Sequence, residues 1–318
     1  MSLAPALSVV VVTHESEARV SRFLASVPNA CGDRAYETLV VDTASKDGSL
    51  SVAARSAPAA RILALPANLG YGAALNAGAR LASGNWLAFC NADVTLDCGC
   101  LAQLVSALEP DPGAAGAGPV LRDSNGCEAP CVRVFPSLRQ ELLEMLLVHR
   151  AWPGNPMRRR VWRTDLGRET SGRCDFVAGA AFVVPRRVFE QVGFFDEGFF
   201  LYYEETDWFR RAADLGFHAL LVAEAGAVHE GGGSSEARMD LLDVLLSSQH
   251  RYFRKHGGAA CVMALGGIQA AGLLLRQAVW SARLLAGAGS SEGLSSRLAR
   301  NRAHASWLAA RMICSPRR

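Results

Sequence analysis

Four short apolar runs, each closing on polar residues and each followed by a helical pattern, constrain this chain more than any other feature. They are Leu7–Val12 before Thr13-His14-Glu15-Ser16, Thr38–Val41 before Asp42, Arg61–Leu65 before the loop that holds Asn68, and Trp86–Phe89 before Cys90-Asn91-Ala92-Asp93. Amphipathic segments fill the gaps, the first running to about Val27, others through Asn76 to Leu81 and from Cys100 to Leu108. Strands alternating with helices predict an α/β domain with a mixed, mostly parallel sheet covered on both faces. In open sheets of this kind the ligand crevice lies outside the carboxyl ends of the strands. Turns favour Asp and Asn for reasons of their own, so one polar strand end carries nothing. Four in succession, at Thr13 with Glu15, at Asp42, at Asn68, and at Asn91 with Asp93, predict a binding site.

The second half of the domain gathers acids. A short strand is expected at Gly118–Leu121, one buried strand over Phe176–Val184 up to Pro185, and a last strand over Ala219–Ala223. Two phenylalanine pairs then lead into Asp196, Glu204, Glu205 and Asp207, the last three opening a helix with Trp208, Phe209, Ala212 and Leu215 at its apolar positions. Acids in a first helical turn complement the helix dipole. Trp208 at helical spacing reads as core before it reads as a sugar-stacking platform. His229 stands before three glycines, which predicts a loop that closes or orders, not a regular element. Gly70-Tyr71-Gly72 imitates a dinucleotide fingerprint, but Leu75 fills the third glycine position and the loop follows the third strand, so nicotinamide binding is a weak reading. Residues 122–173 are arginine-rich and patternless, either a solvated insertion or an acceptor-side flap that meets phosphate.

Charge divides the chain. After residue 250 there are eleven Lys and Arg against the single acid Glu292, a net +10; the first 250 residues keep 22 bases and 29 acids, a net −7. The acidic body suits a cationic centre, and the basic tail suits an anionic surface, with nothing that points to nucleic acid. Inside the tail, Gly257–Leu275 holds no charge, and Arg276 and Arg283 fall on one face of the continuing helix. An interfacial helix pair lying on a membrane is the favoured reading, with a true span and a homo-oligomer helix as the others. The nine cysteines form no Cys-x-x-Cys pair and several sit in apolar runs, which points to a reduced, cytosolic compartment. Leu7–Val12 is too short for the core of a signal peptide.

The segments VVVVTHES, VVDTASKDGS, NLGYGAALNAG, FCNADV, FVAGAAFVV, GFFDEGFFLYYEETDWFRR and VHEGGGSS, in that order and spacing, resemble the family 2 glycosyltransferases of the GT-A fold, above all their rhamnosyltransferase-like branch. The resemblance spans about residues 7–256. It implies a GT-A domain over 1–250, with a nucleotide-sugar half over 1–121 and an acceptor half over 122–250, and a helical, membrane-associating extension over 251–318. It gives Thr13, Glu15 and Asp42 the base and ribose of a nucleoside-diphosphate sugar, and sets Asn68, Gly70, Asn76 and Asn91 beside the diphosphate and sugar. Asn91-Ala92-Asp93 occupies the place of the family's Asp-x-Asp motif, so Asp93 becomes the principal carboxylate for Mn²⁺ or Mg²⁺, completed by His229. Glu205 takes the position of the catalytic base, with Glu204 its competitor; Asp196, Asp207 and Trp208 fall on the acceptor side. The implied enzyme is metal-dependent and inverting, moving a sugar such as L-rhamnose to a glycan or polyprenyl-diphosphate-linked acceptor at the inner face of the cell membrane. A catalytically degenerate glycan- or nucleotide-binding scaffold would differ in showing no sugar-nucleotide turnover. A sugar nucleotidyltransferase would need a glycine-rich basic loop after the first strand, where this chain has Thr13-His14-Glu15-Ser16.

Overall fold

The computed structural model describes residues 6–129, 131–146, 170–231, 241–287 and 291–313. These divide into two compact units, one holding the described residues up to Phe135 and from 170 to Gly231, the other holding the rest.

The first unit is built on a twisted mixed sheet. Its strands are β1 (Leu7–Thr13), β2 (Tyr36–Thr43), β3 (Arg61–Leu65), β4 (Trp86–Asn91), β5 (Val94–Leu96), β6 (Ala114–Arg122), β8 (Gly172–Cys174), β10 (Ala181–Pro185) and β11 (His218–His229), in the order β3-β2-β1-β4-β10-β6-β11-β5, with β8 also on β11. The first four run parallel, β10 runs against both β4 and β6, and β11 is parallel to β6 but antiparallel to β5. Two short strands, β7 (Val132–Arg133) and β9 (Phe176–Val177), pair separately. Every residue of β1 is buried, as a central parallel strand covered on both faces requires. Helices α1 (Val20–Cys31), α2 (Ser49–Ser56), α3 (Tyr71–Leu81) and α4 (Cys100–Leu108) make the crossovers. α3 lies so close to the sheet that a Cβ at Gly78 would sit 2.3 Å from Val10 Cγ1. The later helices of this unit, α6 (Arg186–Val192) and α7 (Glu204–Asp214), close an aromatic core in which Phe89 meets Phe182, Phe189 and Phe195 at centroid distances of 5.2–5.3 Å. The buried thiols of Cys31, Cys90, Cys100, Cys131 and Cys174 pack as small apolar groups, and burial pushes Cys31 up to about 12.

Three strand expectations change. Phe176–Val184 is two strands, broken at Ala178–Ala180, because its first part pairs with β7, a ladder that the Ala178 N–H extends to the Cys131 carbonyl, and its second part pairs with β4 and β6. The short strand at Gly118–Leu121 extends to Ala114–Arg122, and the last strand runs to His229 through a register shift between Val222 and Gly226. His229 therefore ends a regular strand; most of the glycine loop after it lies outside the described residues, as do residue 130 and residues 147–169 of the arginine-rich segment.

The second unit comprises α5 (Leu138–Met145), α8 (Leu242–Leu285) and α9 (Ser291–Ile313). Residue 250 falls inside α8, whose helical course is broken only at Gly258, with φ 75°. Apolar contacts among Leu246, Leu273, Trp307 and Leu308 surround a polar chain. Gln249 donates to Glu141 at 2.8 Å, Gln269 donates to Gln249 at 2.8 Å, and the His250 ring nitrogen lies 2.8 Å from Gln269 Oε1. Burial, with the Glu144 charge beside it, pushes Glu141 up to about 7, and burial pushes His304 down to about 4, so both resist charging inside the bundle.

Asn76 is fully buried on α3 and binds Phe195 twice, donating to its carbonyl at 3.0 Å and accepting from its N–H at 3.0 Å; it also donates to Glu197 at 2.9 Å. Its carboxamide is thus spent on holding the α6–α7 segment against α3 instead of facing a nucleotide. Asn76→Ala should cost about 2–4 kcal/mol, because two backbone groups lose buried partners. Chemical denaturation of the purified chain checks this, and an unchanged midpoint would contradict the structural role.

Candidate active site

The carboxyl ends of the central strands form one row. Register sets Thr13 opposite Asp42 across β1 and β2, and Val12 opposite Asn91 across β1 and β4. Strand order reverses at β1, which leaves a crevice there. Thr13 Oγ1 donates to Asp42 Oδ1 at 2.9 Å, Ser45 Oγ donates to the same oxygen at 2.5 Å, and the Ser45 N–H donates to Oδ2 at 3.0 Å. Glu15 joins this cluster through Ser45, its N–H donating to Ser45 Oγ at 3.1 Å, while its Oε1 accepts the Lys46 N–H at 2.8 Å. Glu15 and Ala44 hold left-handed backbone, with φ 47° and 57°. Two non-glycine residues in that region within one strand-end cluster are strain of the kind functional loops store. The structure thus brings Thr13, Glu15 and Asp42 together, and Ser45, which the sequence reading missed, is the joint between them.

The next loop lies against the approach to α7. Asn68 Oδ1 accepts the Gly70 N–H at 3.0 Å. Gly70 has φ 96°, and a Cβ there would fall 2.4 Å from the Phe200 carbonyl oxygen, to which the Tyr71 N–H donates at 2.8 Å. Only glycine fits that approach.

Two carboxylates stand at the start of α7. Glu204 is buried, and its Oε2 has no hydrogen-bond partner among the described residues. Glu205 is half-buried and lies against Gly179 in the gap between β9 and β10; a Cβ at Gly179 would meet its carboxyl carbon at 3.2 Å. Burial raises the pKa of both. Glu204 is pushed well above the ordinary range, with the Glu205 charge adding to burial, whereas Glu205 is restrained by backbone N–H groups, including that of Gly179, and by the Arg133 charge. The Tyr71 hydroxyl donates to the Gly179 carbonyl at 3.2 Å, and Asn91 N–H donates to the Ala180 carbonyl at 2.8 Å. The Ala178–Ala180 break is thus the hub that ties the Asn91-Ala92-Asp93 turn to the glutamates. Tyr71 and Gly179 were not singled out in the sequence, where the aromatic residue between two glycines was the available signal.

Asp93 and His229 meet across a strand pair. β5 pairs with β11 so that His229 lies opposite Val94, and the Glu230 N–H donates to the Asp93 carbonyl at 3.2 Å. His229 Nε2 is 3.3 Å from Asp93 Oδ1. Burial alone would raise Asp93, yet the His229 hydrogen bond and charge, with Arg19 beyond, outweigh it and hold the carboxyl below the usual carboxylate range. Glu230 pairs in turn with Arg19 at 3.7 Å and with Arg22. Among the described residues, no third His, Cys, Asp or Glu joins Asp93 and His229. One carboxylate oxygen and one imidazole nitrogen fit a divalent cation that takes its other ligands from a diphosphate and water.

The three acceptor-side expectations fare differently. Asp207 and Trp208 are fully buried: Asp207 pairs with Arg211 at 3.0 Å, and Trp208 Nε1 donates to the Gly193 carbonyl at 2.8 Å among Phe189, Phe195 and Phe209. Helical spacing turned both inward, so neither presents itself to an acceptor. Asp196 is half-buried and caps its own turn, accepting the Gly198 N–H at 2.9 Å.

A strand-end crevice with a Thr-Asp-Ser cluster, a carboxylate–imidazole pair and two adjacent glutamates, on this sheet, fits a glycosyltransferase of the GT-A fold. The family model for glycosyl transferase family 2 matches residues 8–193, and the chain belongs to that family. Two Mycobacterium tuberculosis proteins, from strains CDC 1551 / Oshkosh and ATCC 25618 / H37Rv, are each 32% identical to it over 244 residues, covering 72% of this chain and 77% of theirs; both are named N-acetylglucosaminyl-diphospho-decaprenol L-rhamnosyltransferase. Among solved structures, the mannosyltransferase PcManGT from Pyrobaculum calidifontis, in complex with GDP-Man and Mn²⁺, superposes over 99% of this chain and 89% of its own, with TM-score 0.60 at 17% identity. GalNAc-T7 with UDP, GalNAc and Mn²⁺ covers 82% of this chain and 52% of its own, with TM-score 0.51 at 17% identity.

Asp93→Ala should lower metal-dependent turnover by roughly a hundredfold or more, since a ligand lost from a metal site removes the charge that stabilises the leaving group. Activity titrated with Mn²⁺, beside circular dichroism to verify the fold, checks this. Full activity at every Mn²⁺ concentration would contradict the ligand role.

Proposed function

We propose that this enzyme is an inverting transferase that uses a nucleoside-diphosphate sugar, dTDP-L-rhamnose by its likeness to the mycobacterial relatives, and a polyprenyl-diphosphate-linked glycan as acceptor. The observation that carries the reading is the 32% identity to those rhamnosyltransferases over 72% of the chain. The setting is cell-envelope polysaccharide synthesis at the cytoplasmic face of the membrane, with the protein held there peripherally.

The chain's own residues divide the work. Thr13, Glu15 and Asp42 offer acceptors and a hydroxyl to the base and ribose of the donor. Asn68, Gly70 and Asn91 border the path of the diphosphate and sugar. Asp93 and His229 would hold a Mn²⁺ or Mg²⁺ ion, which when bound supplies positive charge to the departing nucleoside diphosphate. Glu205 takes the proton from the acceptor hydroxyl as the oxygen attacks the anomeric carbon from the side opposite the diphosphate. Its raised pKa brings it nearer working pH and makes it a stronger base. Glu204 beside it is buried, which disfavours a second charge there, and the Tyr71 hydroxyl fixes the Gly179 peptide against which Glu205 rests. A single displacement needs no covalent nucleophile.

Glu205→Gln should bind donor as the native enzyme does and lose roughly 10²–10⁴ in transfer rate. Glu204→Gln, which imitates the protonated side chain, should stay within about tenfold of native activity. Calorimetry of donor binding together with product formation separates the two effects; a dead Glu204→Gln beside an active Glu205→Gln would reverse the assignment.

A further inference from the structure

The uncharged run in α8 has two unlike faces. Gln269, its one polar amide, is 0% exposed and bonded to Gln249 and His250 inside the bundle. Arg276 shares that side and donates to the Glu144 carbonyl at 2.7 Å, at the end of α5. Leu265 and Leu273, on the same side, are buried. The opposite side holds Ala260, Met263, Gly267, Ala271, Leu274 and Ala278, all exposed, with Met263 at 72% and Leu274 at 73%. Charge and amide have been gathered to the inner face, leaving an apolar stripe along several helical turns.

The helix is long and apolar enough to cross a membrane by length and composition. Its inner face, however, is committed to α5 and α9: Asn301 of α9 donates to the Leu273 carbonyl at 3.0 Å, and a Cβ at Gly272 would fall 2.5 Å from Met145 Cβ of α5. Among the α9 side chains described, the formally charged ones are Arg297, Arg300 and Arg302, all exposed, with no acid among them. Arg254 and Lys255 before Gly258 and Arg283 near the end of α8 are exposed too. An apolar stripe on a tail with a net charge of +10 complements an anionic lipid surface, with acyl chains for the stripe and phosphates for the cations. We infer that α8 lies in the plane of an anionic bilayer on its Met263–Leu274 face, while its Gln269 face stays in the bundle. This rests on the lipid-linked acceptor reading and names the face through which the enzyme would meet that membrane.

Sedimentation of the full chain with vesicles tests the inference. The native protein should bind phosphatidylglycerol-containing vesicles more tightly than pure phosphatidylcholine vesicles, and alkaline carbonate should release it. Met263→Glu combined with Leu274→Glu should weaken binding roughly tenfold or more, since charges replace two leaflet-buried side chains, with unchanged circular dichroism and thermal midpoint. Binding equal to native by that variant, resistance to carbonate, or a switch from dimer to monomer without loss of vesicle binding would each overturn the inference, the last by making the stripe a contact between copies. The vesicles carry neither donor nor acceptor. Intact vesicle binding by a protein inactive towards every sugar nucleotide would therefore sink the catalytic reading and sustain this one.

Discussion

The antiparallel pairing of β5 with β11 is the constraint on which the site depends. It joins a three-residue strand directly after the Asn91-Ala92-Asp93 turn to the far end of the last strand of the sheet. Without that pairing, Asp93 and His229 are two polar side chains at unrelated loop ends. With it, they stand 3.3 Å apart. Bringing such distant segments together costs loop-closure entropy, and the buried ladder around Val94, Leu96 and Ala227 is what offsets it. The same strand end places Glu230 against Arg19 and Arg22, so β11 is also tied to the start of the first crossover.

Four acids near one crevice are driven to different tasks by their surroundings. Asp42 is wrapped by Thr13 and Ser45, which fix its direction. Asp93 is held below the usual range by His229 despite burial. Glu204 and Glu205, in a drier place, are both raised by burial, with backbone N–H groups and the Arg133 charge opposing the rise at Glu205. Environments that push titratable groups apart let one crevice hold acids of different proton affinity.

Much of this was legible in the chain. The alternation of apolar runs and helices fixed the parallel half of the sheet, and polar residues at strand ends marked Thr13, Asp42, Asn68 and Asp93, because strand-end position is a local property. What local pattern cannot report is pairing. The break at Ala178–Ala180 looks like continuous strand, since Ala and Gly carry no side-chain signal, yet it holds Tyr71, Asn91 and Glu205 in one place. His229 looked like loop because glycines follow it, whereas its conformation is set by a partner strand far away in sequence. Asn76 was grouped with the nucleotide ligands by its motif, but its carboxamide serves Phe195. In the tail, periodicity put Arg276 and Arg283 on one face; that Arg276 turns inward to α5 while Arg283, near the end of α8, stays exposed follows from tertiary contacts, which no hydropathy pattern contains.

Anomalous diffraction at the manganese edge, from crystals grown with Mn²⁺ and a nucleoside diphosphate, is the most direct test of the site. The peak should lie within bonding distance of Asp93 and His229, with diphosphate oxygens completing the coordination. A nucleotide seated in the crevice with its manganese bound elsewhere, or bound with no manganese at all, would contradict the metal centre and the chemistry built around it.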